Sequence, residues 1–385
     1  MAGGYPSAAT GGTGLRKGTG MPQEISPRVF ALASLLFYLA NAYIQGNLRS
    51  GGQSAWLMVV AGAVLLLPFF LLLSAVSSRH PGKDLPAVAG QLWGMAGQRV
   101  VSGLLFLYGT LLLGRSLSCF TRFVSAYILP DTPRILMATL LFALAALLVR
   151  RGAAAIGRWA GIVLPVVFLM IGLAIAASIS VCRPEALMPI ETERGKWLRG
   201  IRESVVFPFG EPLAMCTLLT GVKGTVRRRH WVLPWLGAAL LLALTFARNT
   251  MVLGGELSAV LPFATHHADS VMGYSSFSLR VEALTSLIPA AAGILEAAVF
   301  LHLAVCSMEA MAGRKLHGAF YLIPAGLAGA IILLPGGQLM AWEGYWGWFS
   351  LPLQAALPVA LLLGERMQKR MRRKILARRL KRGLE

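Results

Sequence analysis

The chain has 385 residues, 56% of them hydrophobic, and 36 Lys and Arg against 16 Asp and Glu give a net charge of +20. Mean hydropathy is +0.66, and apolar runs of about 20 residues recur along the whole length; this excludes a soluble enzyme and indicates a polytopic membrane protein, because a hydrocarbon core about 30 Å thick requires helices of that length. The positive charge does not mark a nucleic-acid binder: it sits between apolar runs and in one C-terminal tail, with no helix–turn–helix, zinc finger or aromatic-basic stripe.

Residues 1–24 are rich in Gly, Ser and Thr and read as a disordered N-terminal tail. The apolar run beginning near Val29 is not followed by a small-residue cleavage site, so no cleavable signal peptide is expected. A ten-helix transmembrane unit is expected over 25–365, with spans at 28–46, 54–77, 100–128, 133–150, 155–180, 199–221, 231–254, 280–308, 317–335 and 347–364. A basic tail occupies 366–385 and reads as a plain topology anchor, the alternative reading being attraction to anionic membrane lipid.

Lysine and arginine set the orientation. With the N-terminus in the cytoplasm, the inside segments carry Arg79, Lys83 and Arg99, then Arg150, Arg151 and Arg158, then Lys223 and Arg227 to Arg229, then Arg314 and Lys315, and finally the tail. The outside loops hold fewer basic residues, and they hold the acids Glu185, Glu191, Glu193, Glu256, Asp269 and Glu343. An even number of spans places both termini inside. Spans one to five then run inside to outside and spans six to ten outside to inside, the requirement of a 5+5 inverted repeat. Such a fold interrupts the first helix of each repeat at the midplane, so spans one and six should both break.

Span six contains "VVFPFGEP", Val205–Pro212. Pro208 lacks an N–H and ends or kinks a helix, Gly210 opens backbone angles closed to other residues, and Pro212 suits the first turn of a restarting helix. The freed backbone groups require a cavity or a protein partner, since lipid provides none. A gap of this kind offers carbonyls from one half-helix and N–H groups from the other, a match for a zwitterion. Span one offers a softer break: Asn41 and Gly46, with Gln45 and Asn47, stand where lipid favours leucine, with no proline.

Two intramembrane carboxylates stand out. Glu211, at the span-six gap, must be paired, protonated or facing water. It suits an ammonium ligand, a proton or a structural clamp; equally it suits an ion pair with Arg115, Arg122, Arg248 or Arg280. Glu296 lies deep in span eight and suits proton or ligand chemistry, or partnership with a neighbouring hydroxyl or His302. Arg122 near the outer end of span three and Glu282 near the outer start of span eight are further candidates, and Arg280 and Glu282 can face each other across helices. Cys119, Cys182, Cys216 and Cys306 form no C-x-x-C pair, and His266-His267 is the only histidine pair and reads as solvated. No metal site or cofactor is expected. Enzyme signatures such as G-x-S-x-G, the P-loop and H-E-x-x-H are absent from the sequence, so the chain is not read as an enzyme.

"ESVVFPFGEPLAM" (Glu203–Met215) resembles the F-P-F-G-E segment of the spore germination permease family, the B subunits of GerA-type germinant receptors within the amino acid–polyamine–organocation superfamily. In the same order, "HPGKDLPAVAGQLWGMAGQ" (His80–Gln98), "TRFVSAYILPDTPRILM" (Thr121–Met137), "RRGAAAIGRWAGIVLPV" (Arg150–Val166) and "FSLRVEAL" (Phe277–Leu284) resemble the family's loops and span junctions. The resemblance implies an all-α, LeuT-like 5+5 fold with discontinuous helices one and six. It also implies a place in the inner spore membrane, complexes with an A subunit and a C lipoprotein, and sensing of small germinants, often amino acids. A ligand site at Asn41, Gly46, Phe207, Pro208, Gly210, Glu211, Arg122, Glu282 and Glu296 is the expectation. Span one departs from the family, reading "LANAYIQGN" where a Gly-rich break and a Leu-Pro are usual. Three roles fit: a germinant-binding receptor subunit, a proton-coupled amino acid transporter of the same superfamily, or a structural receptor subunit without ligand.

Overall fold

A computed structural model describes residues 24–45, 48–206, 209–271, 281–316, 318–333 and 336–382. Among these the chain is helical, with no strand and one isolated parallel bridge, Ile25 with Val222. The first five spans are α1 (Pro27–Gln45), α2 (Ala55–Arg79), α3 (Leu85–Tyr127), α4 (Arg134–Arg150) and α5 (Ala153–Ser178). The sixth is divided into α6 (Arg194–Val206), the single turn α7 (Pro212–Met215) and a 3-10 segment, Cys216–Gly221. The seventh is α8 (Arg228–Leu253). Two short helices, α9 (Gly255–Val260) and α10 (Ala264–Val271), precede the eighth span, α11 (Val281–Thr285) with α12 (Leu287–Ala312). α13 (Leu322–Ile332) and α14 (Gly336–Arg382) complete the ten.

Five of these helical segments, Gly52–Arg79, Leu85–Tyr127, Ala153–Ser178, Arg228–Leu253 and Glu282–Ala312, have the length and apolarity to cross a bilayer. Pro27–Ala40, Pro212–Gly221 and Gly318–Ile332 are shorter apolar helical segments. Lipid-type surface remains on α4 and α5, whose Leu140, Leu147, Ile162 and Leu169 point outward.

Which helices touch reveals the repeat. Exchanging span n with span n+5 maps the α3–α12 and α2–α8 contacts onto themselves. It maps α3–α13 onto α4–α12, and α1–α8 onto α2–α6, and all four of these contacts are present. This is the pairing that a two-fold axis in the membrane plane generates. α12 lies at the centre, against α1, α3, α4 and α5.

α3 is longer than the expected third span because it begins in the basic loop. Asp84 caps it, its Oδ1 accepting from the Ala87 N–H at 2.9 Å, and Pro86 lies in its first turn. Gly94, at φ 71°, kinks it before the membrane run, in a backbone region that only glycine adopts without strain. α14 likewise outruns its span: the basic tail continues it as helix to Arg382. Glu365 ties its emergence from the bundle to the α2–α3 loop, 3.1 Å from Arg79 Nη1 and 2.5 Å from Lys369 Nζ.

Span one enters beside span six. The Ile25 N–H donates to the Gly221 carbonyl at 2.8 Å, and the Lys223 N–H donates back to the Ile25 carbonyl at 2.9 Å. At the opposite end Ser50 follows α1 and donates to Glu203 of α6 through both its N–H (3.1 Å) and its hydroxyl (2.6 Å). The two discontinuity candidates are therefore fastened to each other at both ends.

Candidate functional site at the interrupted sixth span

The predicted interruption of span six is present: α6 ends at Val206 and α7 begins at Pro212. Phe207 and Pro208 lie outside the described residues. Gly210 lies against the end of α6. A Cβ at this position would stand 2.3 Å from the Val206 carbonyl oxygen and 2.9 Å from that of Val205, so the turn folds back onto the end of α6 in space that only glycine leaves open. Pro212 then occupies the first helical position of α7, where its missing N–H costs nothing. The 3-10 geometry of Cys216–Gly221 covers about 12 Å in six residues where α-helix would cover about 9 Å, which helps a short half-helix reach the bundle end.

Helix one is continuous over Pro27–Gln45. Asn41 lies in it, with its side chain outside the described set, and Gly46 lies outside the described residues. Within "LANAYIQGN" the part that α1 covers, Leu39–Gln45, holds no glycine or proline, in keeping with its continuous helix.

Protein groups hold the gap. Arg115 of α3 meets Glu211 with Nη1 and Oε1 2.5 Å apart, the two side chains 4% and 1% exposed. Of the arginines that the sequence leaves open for Glu211, the fold selects Arg115. Arg248 pairs instead with Asp269 of α10, which also accepts from the Thr285 hydroxyl at 2.6 Å. Asp269 is thus a buried tie between α8, α10 and the start of span eight rather than a solvated loop acid. The Gly210 carbonyl accepts from the Gln354 amide of α14, and the Tyr108 hydroxyl of α3 lies 3.5 Å away. Trp346 of α14 stacks on Tyr108, with ring centroids 5.5 Å apart. On the other side of the gap Phe209 abuts Trp235, which stacks on Phe70 at 4.2 Å, and Tyr38 of α1 meets both Trp235 and Phe70 edge-on. The gap therefore has one polar wall, from α3, α12 and α14, and one aromatic wall, from α1, α2 and α8.

Glu296 joins the polar wall. It is 1% exposed, and the charges that reach it are those of Glu211 and Arg115, with Ser116 beside it. His302 is not its partner: the His302 ring lies 2.7 Å from the Thr217 hydroxyl, Nδ1 to Oγ1. Gly210, Glu211 and Glu296 therefore come together. Arg122 lies seven residues outward of Arg115, about 10 Å along α3. Glu282 lies in the first turn of α11, 14 residues and about 20 Å from Glu296, where the Ser286 hydroxyl donates to its carbonyl at 2.6 Å. Arg280 lies outside the described residues, so no pairing with Glu282 is described. Sequence reasoning missed Tyr108, Gln354 and Trp346. Gln354 carried a signal, an amide inside the apolar stretch "SLPLQAALPV". The histidine pair is also less solvated than expected, since His267 Nε2 lies 2.8 Å from the Tyr127 hydroxyl.

The model of the spore germination protein family matches residues 31–336, a range that holds the interrupted span, the Arg115–Glu211 pair and Glu296. The chain belongs to the spore germination permease family. Spore germination protein KB of Bacillus subtilis (strain 168) is 21% identical over 344 residues, covering 88% of this chain and 92% of that one. Two solved transporters share the fold at 15% identity each. MhsT in complex with L-phenylalanine superposes with a TM-score of 0.53 over 90% of this chain and 100% of its own. Mhp1, a nucleobase-cation-symport-1 family transporter in a closed conformation with bromovinylhydantoin bound, gives 0.57 over 87% and 78%. The permease is a LeuT-like, multi-pass membrane protein with a transporter-type architecture.

Proposed function

We propose that this chain is the membrane subunit of a spore germinant receptor, binding a small nutrient germinant of amino acid type at the span-six gap and so triggering germination. The single observation that carries the reading is the interruption at Gly210–Glu211, held shut by side chains of α3 and α14 in a germination-family chain. A zwitterion's ammonium competes with Arg115 for Glu211 and with Gln354 for the Gly210 carbonyl. Its carboxylate takes the Arg115 guanidinium once that is released. Binding then unfastens span six from α3 and α14, so occupancy favours a different packing of the bundle.

Phe207, Pro208, Gly210, Glu211 and Glu296 are assigned to this site, with Asn41 and Gly46 of span one completing it and Arg122 and Glu282 on the approach. The 25–365 unit sits in the inner spore membrane with both termini in the cytoplasm, beside an A subunit and a C lipoprotein. Spores carrying Glu211→Gln or Gly210→Ala are expected to lose their response to the nutrient that the wild type answers. Normal germination of both variants with every nutrient sinks the site assignment.

Proton-coupled amino acid transport is the second reading. It draws on the fold shared with MhsT, solved with L-phenylalanine bound. Accumulation of a labelled amino acid by proteoliposomes holding this chain alone, driven by a proton gradient, decides for it and against a pure receptor.

A further inference from the structure

We infer that Glu296 is a reversible proton-binding site, built into α12 beside the Arg115–Glu211 pair. The inference is independent of which ligand the subunit takes. Helix register places the group. On α3, Gly109 packs into α12 so closely that a Cβ there would stand 3.1 Å from the Phe300 carbonyl oxygen and 3.2 Å from the Ala304 nitrogen. The two helices run in opposite directions, since Gly103 faces Met311 whereas Gly109, further along α3, faces Phe300 and Ala304, further back along α12. Two turns on along α3 from Gly109, and about one turn back along α12 from Phe300, bring Arg115 and Ser116 level with Glu296.

The charge count then decides its state. Arg115 and Glu211 neutralise each other at 2.5 Å. The charges that reach Glu296 are theirs: Glu211 from the start of α7 and Arg115 from α3. Among the described residues no second cation stands beside Glu296. Its Oε2 is buried and has no hydrogen-bond partner among the described residues. An ionised carboxylate with an empty oxygen, at 1% exposure within the membrane, is costly. The neutral acid removes the excess charge. Hydronium donates its proton to a Glu296 oxygen and departs as water, and hydroxide takes the proton back.

A proton fits better than a metal cation. A hard cation takes a cage of about six oxygens, whereas Glu296 has Ser116 beside it and the Arg115 guanidinium close enough to repel one. Arg115 also makes the site switchable. Whatever draws it away from Glu211 changes the field at Glu296, so proton binding there is coupled to the state of the pair.

Infrared difference spectroscopy on the full chain in lipid nanodiscs tests this. The wild type is expected to show the carbonyl stretch of one protonated buried carboxyl at neutral pH, bleaching in alkaline buffer and indifferent to exchanging potassium for sodium. Glu296→Gln removes the band. Glu211→Gln also removes it, although Glu296 is intact, because Arg115 is then left to Glu296. If Glu296→Gln does not fold, Glu296→Asp keeps the band at a shifted frequency. A band unmoved by every Glu296 substitution, no band at all, or one abolished by sodium at constant pH each overturns the proposal.

Discussion

Arg115 and Glu211, 96 positions apart in the chain, meet at 2.5 Å across the interruption of the sixth span, with both side chains almost fully enclosed. A pair this deep contributes little net stability compared with apolar residues of the same volume, yet breaking it is expensive. Its position accounts for its presence: it joins the interrupted sixth span to α3, which packs on α12 and α13.

Arg115→Met should therefore be more damaging than the double change Arg115→Met with Glu211→Gln. The single variant takes the cation from a buried ion pair and is expected to lose about 3–5 kcal/mol. The double variant removes both charges and should recover more than half of that loss. Thermal unfolding in detergent, followed by the folded fraction on size exclusion, measures both. Equal loss in the two variants would mean that Arg115 serves the fold by packing alone.

Gly210→Ala adds a methyl where the Val206 carbonyl oxygen leaves 2.3 Å. The obstacle is backbone and cannot rotate away, so α6 and α7 must separate. A loss of about 1–3 kcal/mol is expected, the range for forced overpacking, together with lost function. Gly161, whose added Cβ would meet nothing within 4 Å, is the control that should accept alanine with no comparable change.

Asp84→Ala removes the N-cap of α3 and is expected to cost about 1 kcal/mol, while Asp84→Asn, which caps equally well, should stay close to the wild type. Denaturation midpoints of the three proteins check this. An Asn variant as weak as the Ala variant would show that the charge matters more than the cap.

The loop before α6 is acid-sensitive in a defined direction. Glu191 is held below its ordinary value near 4.5, first by the Glu193 N–H and then by the Lys196 ammonium. Its carboxylate accepts from the Glu193 N–H at 2.9 Å and from Lys196 Nζ at 3.0 Å. A depressed folded pKa contributes stability that is present above the unfolded value and lost as pH falls through the folded one. Melting temperature followed from pH 6 downward should thus fall less steeply in Glu191→Gln than in the wild type. The difference should be small, because the group is solvent-exposed and screened. Parallel curves for the two proteins would refute the assignment.

Much of the architecture was legible in one dimension. Span number, the 5+5 arrangement and the break at "FPFGE" follow from apolar run length, loop charge and backbone chemistry, because each is set by neighbours in sequence or by the bilayer itself. The same reasoning reached Gly210, Glu211 and Glu296, since a glycine between prolines and carboxylates in apolar runs demand explanation wherever they fold. It placed a break in span one less securely, and α1 proves continuous to Gln45 because no proline or glycine interrupts it before that point.

Partner choice was beyond the sequence. Four arginines were open to Glu211, and only the packing of α3 against the gap selects Arg115 while α10 takes Arg248. Gln354 and Tyr108 reach Gly210 from positions 144 and 102 residues away. The physical reason is range. Helix formation and membrane insertion are decided by local chemistry, whereas the pairing of buried charges depends on which helix faces meet. That geometry exists only once all ten spans have packed.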